Sequence, residues 1–505
     1  MSFDAVILGS GLGGLQCAFI LAKNGMKVCV LEKNAALGGC LQSFKRGTDE
    51  FDTGFHYVGA LDKGQILERI FRGFGLMDLP WHRLDADGFD QIILGGRSYL
   101  LKNGYAEYAD GLSDCFPQRR AEIHAFAGFL KDVGLHITEP LTNNGGDYST
   151  TNPLFESNAS DFLRSSLHNS LLEDVVSGAS LKIELNRNSL PLYPFAQINS
   201  SYIQSAWRLR GRGSMIADTL AEGIRKMGGC IMNCTEAVSL IEKDGKITGV
   251  EVEGRTPALM PDGRKEILEA SLFVSDLSPQ LTLGLLKETS AVRPVFRRRI
   301  CRLEQTYGFF TVNLKLKGGK IPYLNRNVYW YSPDLDSVWD VAAQAEKGNI
   351  KGLLITQQVP SDGSPYASQM DILAPMDFSQ VEQWQNTLPM RRGSAYNDFK
   401  ARRAEECIRL AENVFPNLGQ YTEKVFTSTP LTYRNYTGAI RGSAYGIRKD
   451  CNNLTQTLLT TRTPLPNLFF TGQNLNLHGV LGVSITSLMT CSRILGKDKV
   501  VSFLE

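Results

Sequence analysis

The chain opens on an apolar run. Phe3 to Leu8 has the length and bulk of a short buried strand, and it stops at Gly9-Ser10-Gly11-Leu12-Gly13-Gly14. Leu15 to Lys23 reads as a helix, and Lys27 to Leu31 as a second apolar strand ending at Glu32. That order of elements predicts a parallel βαβ unit. Further on, Pro117 to Val133 places Ile123, Phe126, Phe129 and Leu130 at helical spacing, and Asp161 to Leu181 reads as more helix. Asn143 to Asp147 reads as an exposed loop. After Trp207 the pattern predicts a glycine turn and a helix to Met227. A strand over Cys230 to Asn233 follows, then strands around Val238 and Gly249 to Val252, joined by a hairpin turn at Asp244-Gly245. Tyr307 to Lys317 alternates as a strand does, and Val328 to Pro333 is another strand candidate. Near the end, Leu468 to Phe470 leads through Gly472-Gln473-Asn474 to a helix that begins at Gly479 to Val483 and continues to Ile494.

The glycines carry the first chemistry. Gly9, Gly11 and Gly14 have the G-x-G-x-x-G spacing, with Gly13 inside the same turn. Gly9 permits a tight turn, Gly11 lets backbone approach a pyrophosphate, and Gly14 lets helix and strand pack closely. The helix N-terminus points free N–H groups at the phosphates. Glu32 stands where a carboxylate accepts hydrogen bonds from ribose hydroxyls, with Lys33 next to it. Gly38 and Gly39 then bring a second stretch of backbone, with Cys40, toward the cofactor. That second approach points to FAD rather than to a nicotinamide dinucleotide.

The stretch from Leu37, LGGCLQSF, and Glu50 to Gly59, EFDTGFHYVG, resemble the N-terminal signature of retinol saturases, within the superfamily of phytoene desaturases and carotenoid isomerases. Thr429 to Gly446 and the C-terminal GQN…GVLGV run resemble the same pattern. The resemblance implies an α/β fold: a Rossmann-type, amine-oxidase-like FAD-binding domain interleaved with a mixed α+β substrate-binding domain. It places the FAD-binding pieces at 1–60, 207–291 and 428–505, and the substrate pieces at 61–206 and 292–427. It implies that Val238 presents backbone to the adenine and that Leu272 to Gln280 returns toward the pyrophosphate. Gly472, Gln473, Gly482 and Val483 then close over the flavin, with the last helix N-terminus facing the pyrimidine edge of the ring. The implied substrate is a long apolar polyene, retinoid- or carotenoid-like, and the implied reaction is saturation of a carbon–carbon double bond. Desaturation and cis–trans isomerisation are the alternatives within the superfamily.

Saturation requires a hydride at one carbon and a proton at its neighbour, so proton donors matter. Two of the six histidines, His56 and His478, fall in flavin signatures, and Tyr433 and Tyr445 are further donors. Amine oxidation is a neighbouring alternative. It requires an aromatic cage before the flavin, and the sequence does not locate one. Non-catalytic prenyl-lipid binders of the GDI type share the architecture but lose parts of the flavin site, whereas the glycines and Glu32 are all present here.

Composition narrows the partners. The chain has 505 residues, 43% hydrophobic and 21% charged, with a formal net charge of +2, which gives no electrostatic case for nucleic acid. Ten cysteines without a C-x-x-C pair or metal-type spacing read as reduced thiols, and no metal is expected. No leader precedes the first strand, so a cytoplasmic location is expected, with peripheral membrane contact through 61–206 to collect a lipid substrate. A second nucleotide fingerprint is absent, which leaves the electron donor or acceptor open.

Overall fold

The computed structural model describes residues 2–142, 152–256, 260–287 and 289–504. Two sheets organise them. In the first, Ser2–Leu8 lies between Val28–Leu31 and the long strand Pro261–Ser275, parallel to both, with Ala5 opposite Val28 and Leu272. Cys230–Met232 extends the parallel layer on one side and Leu468–Phe470 on the other. Strands Thr235–Lys243 and Lys246–Arg255 form an antiparallel meander with Pro261–Ser275. Their turn places Asp244 and Gly245 both at positive φ, as a two-residue hairpin requires.

Helix Leu12–Lys23 is almost wholly buried because it is covered on both sides. The sheet lies beneath it and helix Gly479–Leu495 packs beside it. The Gln16 amide ties the two helices: it donates to Ser484 Oγ at 2.9 Å and accepts from Ser487 Oγ at 2.7 Å. Gly14 is where the helix crosses its strand, and a Cβ there would collide with the Gly9 carbonyl oxygen.

The second sheet is mostly antiparallel. Its order is Thr422–Ser428, Gly308–Leu316, Gln369–Met376, Gly352–Gln357, Asn327–Tyr331, Asp90–Leu94 and Arg97–Leu101. The single parallel contact, Asn327–Tyr331 with Asp90–Leu94, joins two segments far apart in sequence. Helices from 105–204 pack against one face and bury Ile123, Phe126 and Leu130 as the spacing predicts.

Two expectations shift. The helix expected from Pro117 is a short 3-10 turn followed by Arg120–Leu135. The helix expected over Asp161 to Leu181 is two helices, Ala159–Leu167 and Ser170–Ser177. His168 adopts a left-handed conformation at the break, and Asn169 Oδ1 caps the next helix by accepting from Leu172 N. The loop over Asn143 to Asp147 lies outside the described residues.

Candidate active site

A cavity of about 310 Å³ opens between the two sheets' elements. Its polar wall is backbone: Gly11, Gly13, Gly38, Gly39 and Gly472 line it. Its apolar wall includes Ile198, Phe309, Leu354 and Leu373. Both helix N-termini at this place, at Gly11 and His478, have no side-chain cap. At the first, the Gly11 and Gly14 N–H groups point to the Asp276 carboxylate; at the second, the first N–H groups are available to an anionic ligand. The glycines are needed for space. A Cβ on Gly13 would stand 3.0 Å from both N and Cα of Gly472, and one on Gly39 would stand 3.3 Å from Gly11 Cα. Gly38 and Gly472 also sit at φ of +108° and +89°, where a side chain is strained.

The remaining cofactor candidates divide into two groups. Cys40, Gln473, Gly482 and Val483 line the cavity. Cys40 is open only to that space, and burial pushes its thiol up to about 11, so it stays protonated. Gly9, Gly14, Glu32, Lys33 and Val238 lie behind the lining. Glu32 accepts from Ser10 Oγ at 2.6 Å and from Asn34 N at 2.8 Å. Burial raises its pKa against those bonds. Lys33 donates to the Asn435 carbonyl at 2.8 Å. Val238 sits at a bulge, where the ladder passes from Ala237–Val252 to Ser239–Glu251 and skips it.

Asp276 is the cofactor-side residue that the sequence reading missed. Its carboxylate sits among Gly11, Gly13, Gly14 and Gly472, where a Cβ on any of the four would meet it. It accepts backbone hydrogen bonds from Gly14 and Gly11, and burial raises its pKa to about 7, helped by nearby Glu32. The signal was its position directly after the strand ending at Ser275.

The expected proton donors come out differently. His56 lines the cavity, but burial and Arg208 hold it down at about 4. Its Nε2 has no hydrogen-bond partner among the described residues. Burial and Arg208 favour its uncharged form. His478 is also held down at about 4 by burial, and its Nε2 donates to the Lys182 carbonyl at 3.0 Å. Its ring packs against Tyr445 at 4.5 Å. Tyr433 donates to the Thr53 carbonyl at 3.0 Å, and Tyr445 donates to the Leu181 carbonyl at 2.7 Å. These three protons are engaged in holding the walls together.

The basic group on the wall is Lys182. It lies 3.6 Å from Asp90 Oδ2 and donates to Tyr57 Oη at 3.3 Å. Asp90 is fully enclosed and also accepts from Tyr57 Oη at 3.0 Å and Asn327 Nδ2 at 2.8 Å. Burial pulls Lys182 down to about 8 and raises Asp90, each opposed by the other's charge.

Residues 7–74 match the family model of the NAD(P)-binding Rossmann-like domain. The chain is 28% identical to human (Homo sapiens) all-trans-retinol 13,14-reductase, over 98% of this chain and 86% of that protein. It is 24% identical to the chloroplastic prolycopene isomerase of Daucus carota, over 88% and 72% respectively. In fold it resembles a solved putrescine oxidase variant, with a TM-score of 0.64 and 12% identity over 98% of both chains. A solved oxidoreductase from Methanosarcina mazei gives 0.62 and 15%, over 97% of this chain and all of that one. A Rossmann cradle closed by a C-terminal helix beside an apolar cavity defines an oxidoreductase that works with a flavin. The chain is similar over nearly its whole length to the retinol 13,14-reductases and prolycopene isomerases, and it shares its fold with solved amine oxidases.

Proposed function

We propose that the protein binds FAD and saturates a carbon–carbon double bond of an apolar, retinoid- or carotenoid-like polyene. The observation that carries this reading is the single cavity lined by both the glycine cradle and an apolar wall. Backbone at Gly11, Gly13, Gly39 and Gly472 would hold the pyrophosphate, and the free N-terminus at Val480 to Val483 would hold the electron-rich edge of the ring. When bound and reduced, the flavin supplies the electron pair. Ile198, Phe309, Leu354 and Leu373 would exclude water and align a hydrocarbon chain. Lys182, at about 8, keeps a proton at neutral pH on the same wall. The likeness to prolycopene isomerase supports isomerisation by reduced flavin as the second reading.

The test uses the purified protein. Acid extraction should release FAD. Anaerobic photoreduction followed by a polyene panel should reoxidise the flavin and yield a product two hydrogens heavier. Release of no dinucleotide, or reoxidation by oxygen alone, would sink the proposal. A product of unchanged mass with altered geometry would select isomerisation instead.

A further inference from the structure

Lys182 stands at the cavity wall in a cage of tyrosines and one carboxylate. Lys182 Nζ lies 4.2 Å from the centre of the Tyr202 ring, 5.7 Å from that of Tyr57 and 5.9 Å from that of Tyr329. The Tyr202 distance is that of a cation–π contact, whereas toward Tyr57 the ammonium lies near the line of the C–O bond and meets the hydroxyl. Asp90 supplies the counter-charge at 3.6 Å, and Tyr57 supplies a hydroxyl at 3.3 Å. Lys182, Tyr57 and Tyr202 all line the cavity. The Lys182 side chain is only 10% exposed. Four separated segments of chain therefore converge on one ammonium group.

We infer that Lys182 is a specificity-determining residue: a tethered ammonium that occupies the cage, bars cationic amines from the cavity, and restricts it to uncharged or anionic substrates. The inference rests on the proposed reading of the cavity as the substrate site.

The physical reasoning is competitive. The cage binds an ammonium through the Tyr202 ring, the Tyr57 hydroxyl and one carboxylate. A tethered occupant is present at high effective concentration and pays no association entropy. A second cation beside the cage would face repulsion from Lys182, with Asp90 already engaged. Asp90 is already shared with Lys182 and, through Asn327, lies one residue from the buried guanidinium of Arg208, which donates to Asn327 Oδ1 at 2.7 Å. A hydroxyl, a carboxylate or plain hydrocarbon meets no such penalty.

Chemical complementation tests this. Lys182→Ala removes three carbons and the nitrogen beyond Cβ, which propylammonium replaces group for group. Calorimetry on the flavin-loaded protein should show propylammonium binding to Lys182→Ala at least about tenfold more tightly than to wild type. The uncharged isostere 1-propanol should show no such gain, and Lys182→Ala/Asp90→Asn should lose it. Should Lys182→Ala fail to fold, Lys182→Met keeps the stem. It should then bind methylammonium more tightly than wild type does, again dependent on Asp90. Equal binding of propylammonium and propanol, no binding of either, or wild-type affinity matching the variant would each overturn the inference. The flavin spectrum, read on the same samples, reports separately on the cofactor assignment, since ammonium binding to the cage does not depend on turnover.

Discussion

Asp276 makes the cofactor site sensitive to pH. The carboxylate accepts from Gly11 and Gly14 and is pushed up to about 7. Those N–H groups are the ones a pyrophosphate would use. A charged Asp276 and a dinucleotide phosphate then compete for the same donors and repel each other. The other titratable groups around it do not change charge near pH 7 in a way that cancels this. Nearby Glu32 pushes the Asp276 pKa further up, and Cys40 stays protonated up to about 11. If only the protonated carboxyl admits FAD, affinity falls by the factor one plus ten to the power of pH minus seven. Between about pH 6 and about pH 8 that is roughly tenfold, about 1.4 kcal/mol. The sign also holds for folding. The folded carboxyl keeps its proton from about 3.8 to about 7 while the unfolded one loses it, so its contribution to the stability of the flavin-free protein declines as pH rises through that window. The assay is fluorescence quenching of FAD added to stripped protein across this range. Asp276→Asn should bind FAD about tenfold more tightly than wild type at pH 8 and should flatten the profile. A variant that keeps the full tenfold fall would refute the reasoning.

Three further outcomes are expected. Gly13→Val should purify without flavin, because even its Cβ would stand 3.0 Å from the Gly472 backbone, and Gly11→Val should do the same by forcing Asp276 aside; full occupancy in either, read from the ratio of flavin to protein absorbance, would contradict the cradle. His56→Phe removes a buried nitrogen without a partner and should raise the urea stability of the stripped protein by about 1 kcal/mol. It should lower turnover less than the roughly 10²-fold loss of a general acid, and a loss of that size would identify His56 as the acid. No helix among the described residues is long and apolar enough to cross a membrane, yet Leu135 is 69% exposed at the end of its helix. Liposome flotation should recover the wild type and lose Leu135→Glu, and equal recovery of the two would remove this segment as the contact.

The parts of the site legible in the sequence are those written in one stretch. Gly9 to Gly14, Gly38-Gly39 and the closure from Gly472 to Val483 each announce a backbone conformation, and glycine is the residue that supplies it. The break at His168 was also marked locally, by a helix-capping Asn169, and was read through because apolar periodicity continued past it. Asp276 followed a recognisable strand, but no spacing rule says that a carboxylate will turn back into the turn it faces. The cage was illegible for a different reason. Tyr57, Asp90, Lys182, Tyr202 and Tyr329 have no mutual spacing, and it is the parallel register of Asn327–Tyr331 with Asp90–Leu94, which sets Asp90 opposite Asn327 and Tyr329 opposite Ile92, that brings Asp90 and Tyr329 onto neighbouring strands. A lone lysine within Ala179-Ser180-Leu181-Lys182-Ile183 was the available clue, since a lysine enclosed by apolar neighbours is rarely left without a partner.

The hydrogen bond between Gln16 and Ser484 spans 468 positions of the chain. On the ribosome, at about 5–20 residues per second, the first helix therefore waits roughly 25 to 90 s for the helix that covers it. During that interval an apolar surface built to be enclosed on two sides is enclosed on one. The first strand has Val28–Leu31 as an early neighbour, but its other partner is not synthesised until Ser275, and the strand beyond that not until Phe470. The order of synthesis thus makes the cradle the earliest part of the molecule to be made and among the last to be finished. A chain shortened before Gly479 would keep every residue of the glycine fingerprint and still lack the helix that gives it a second wall.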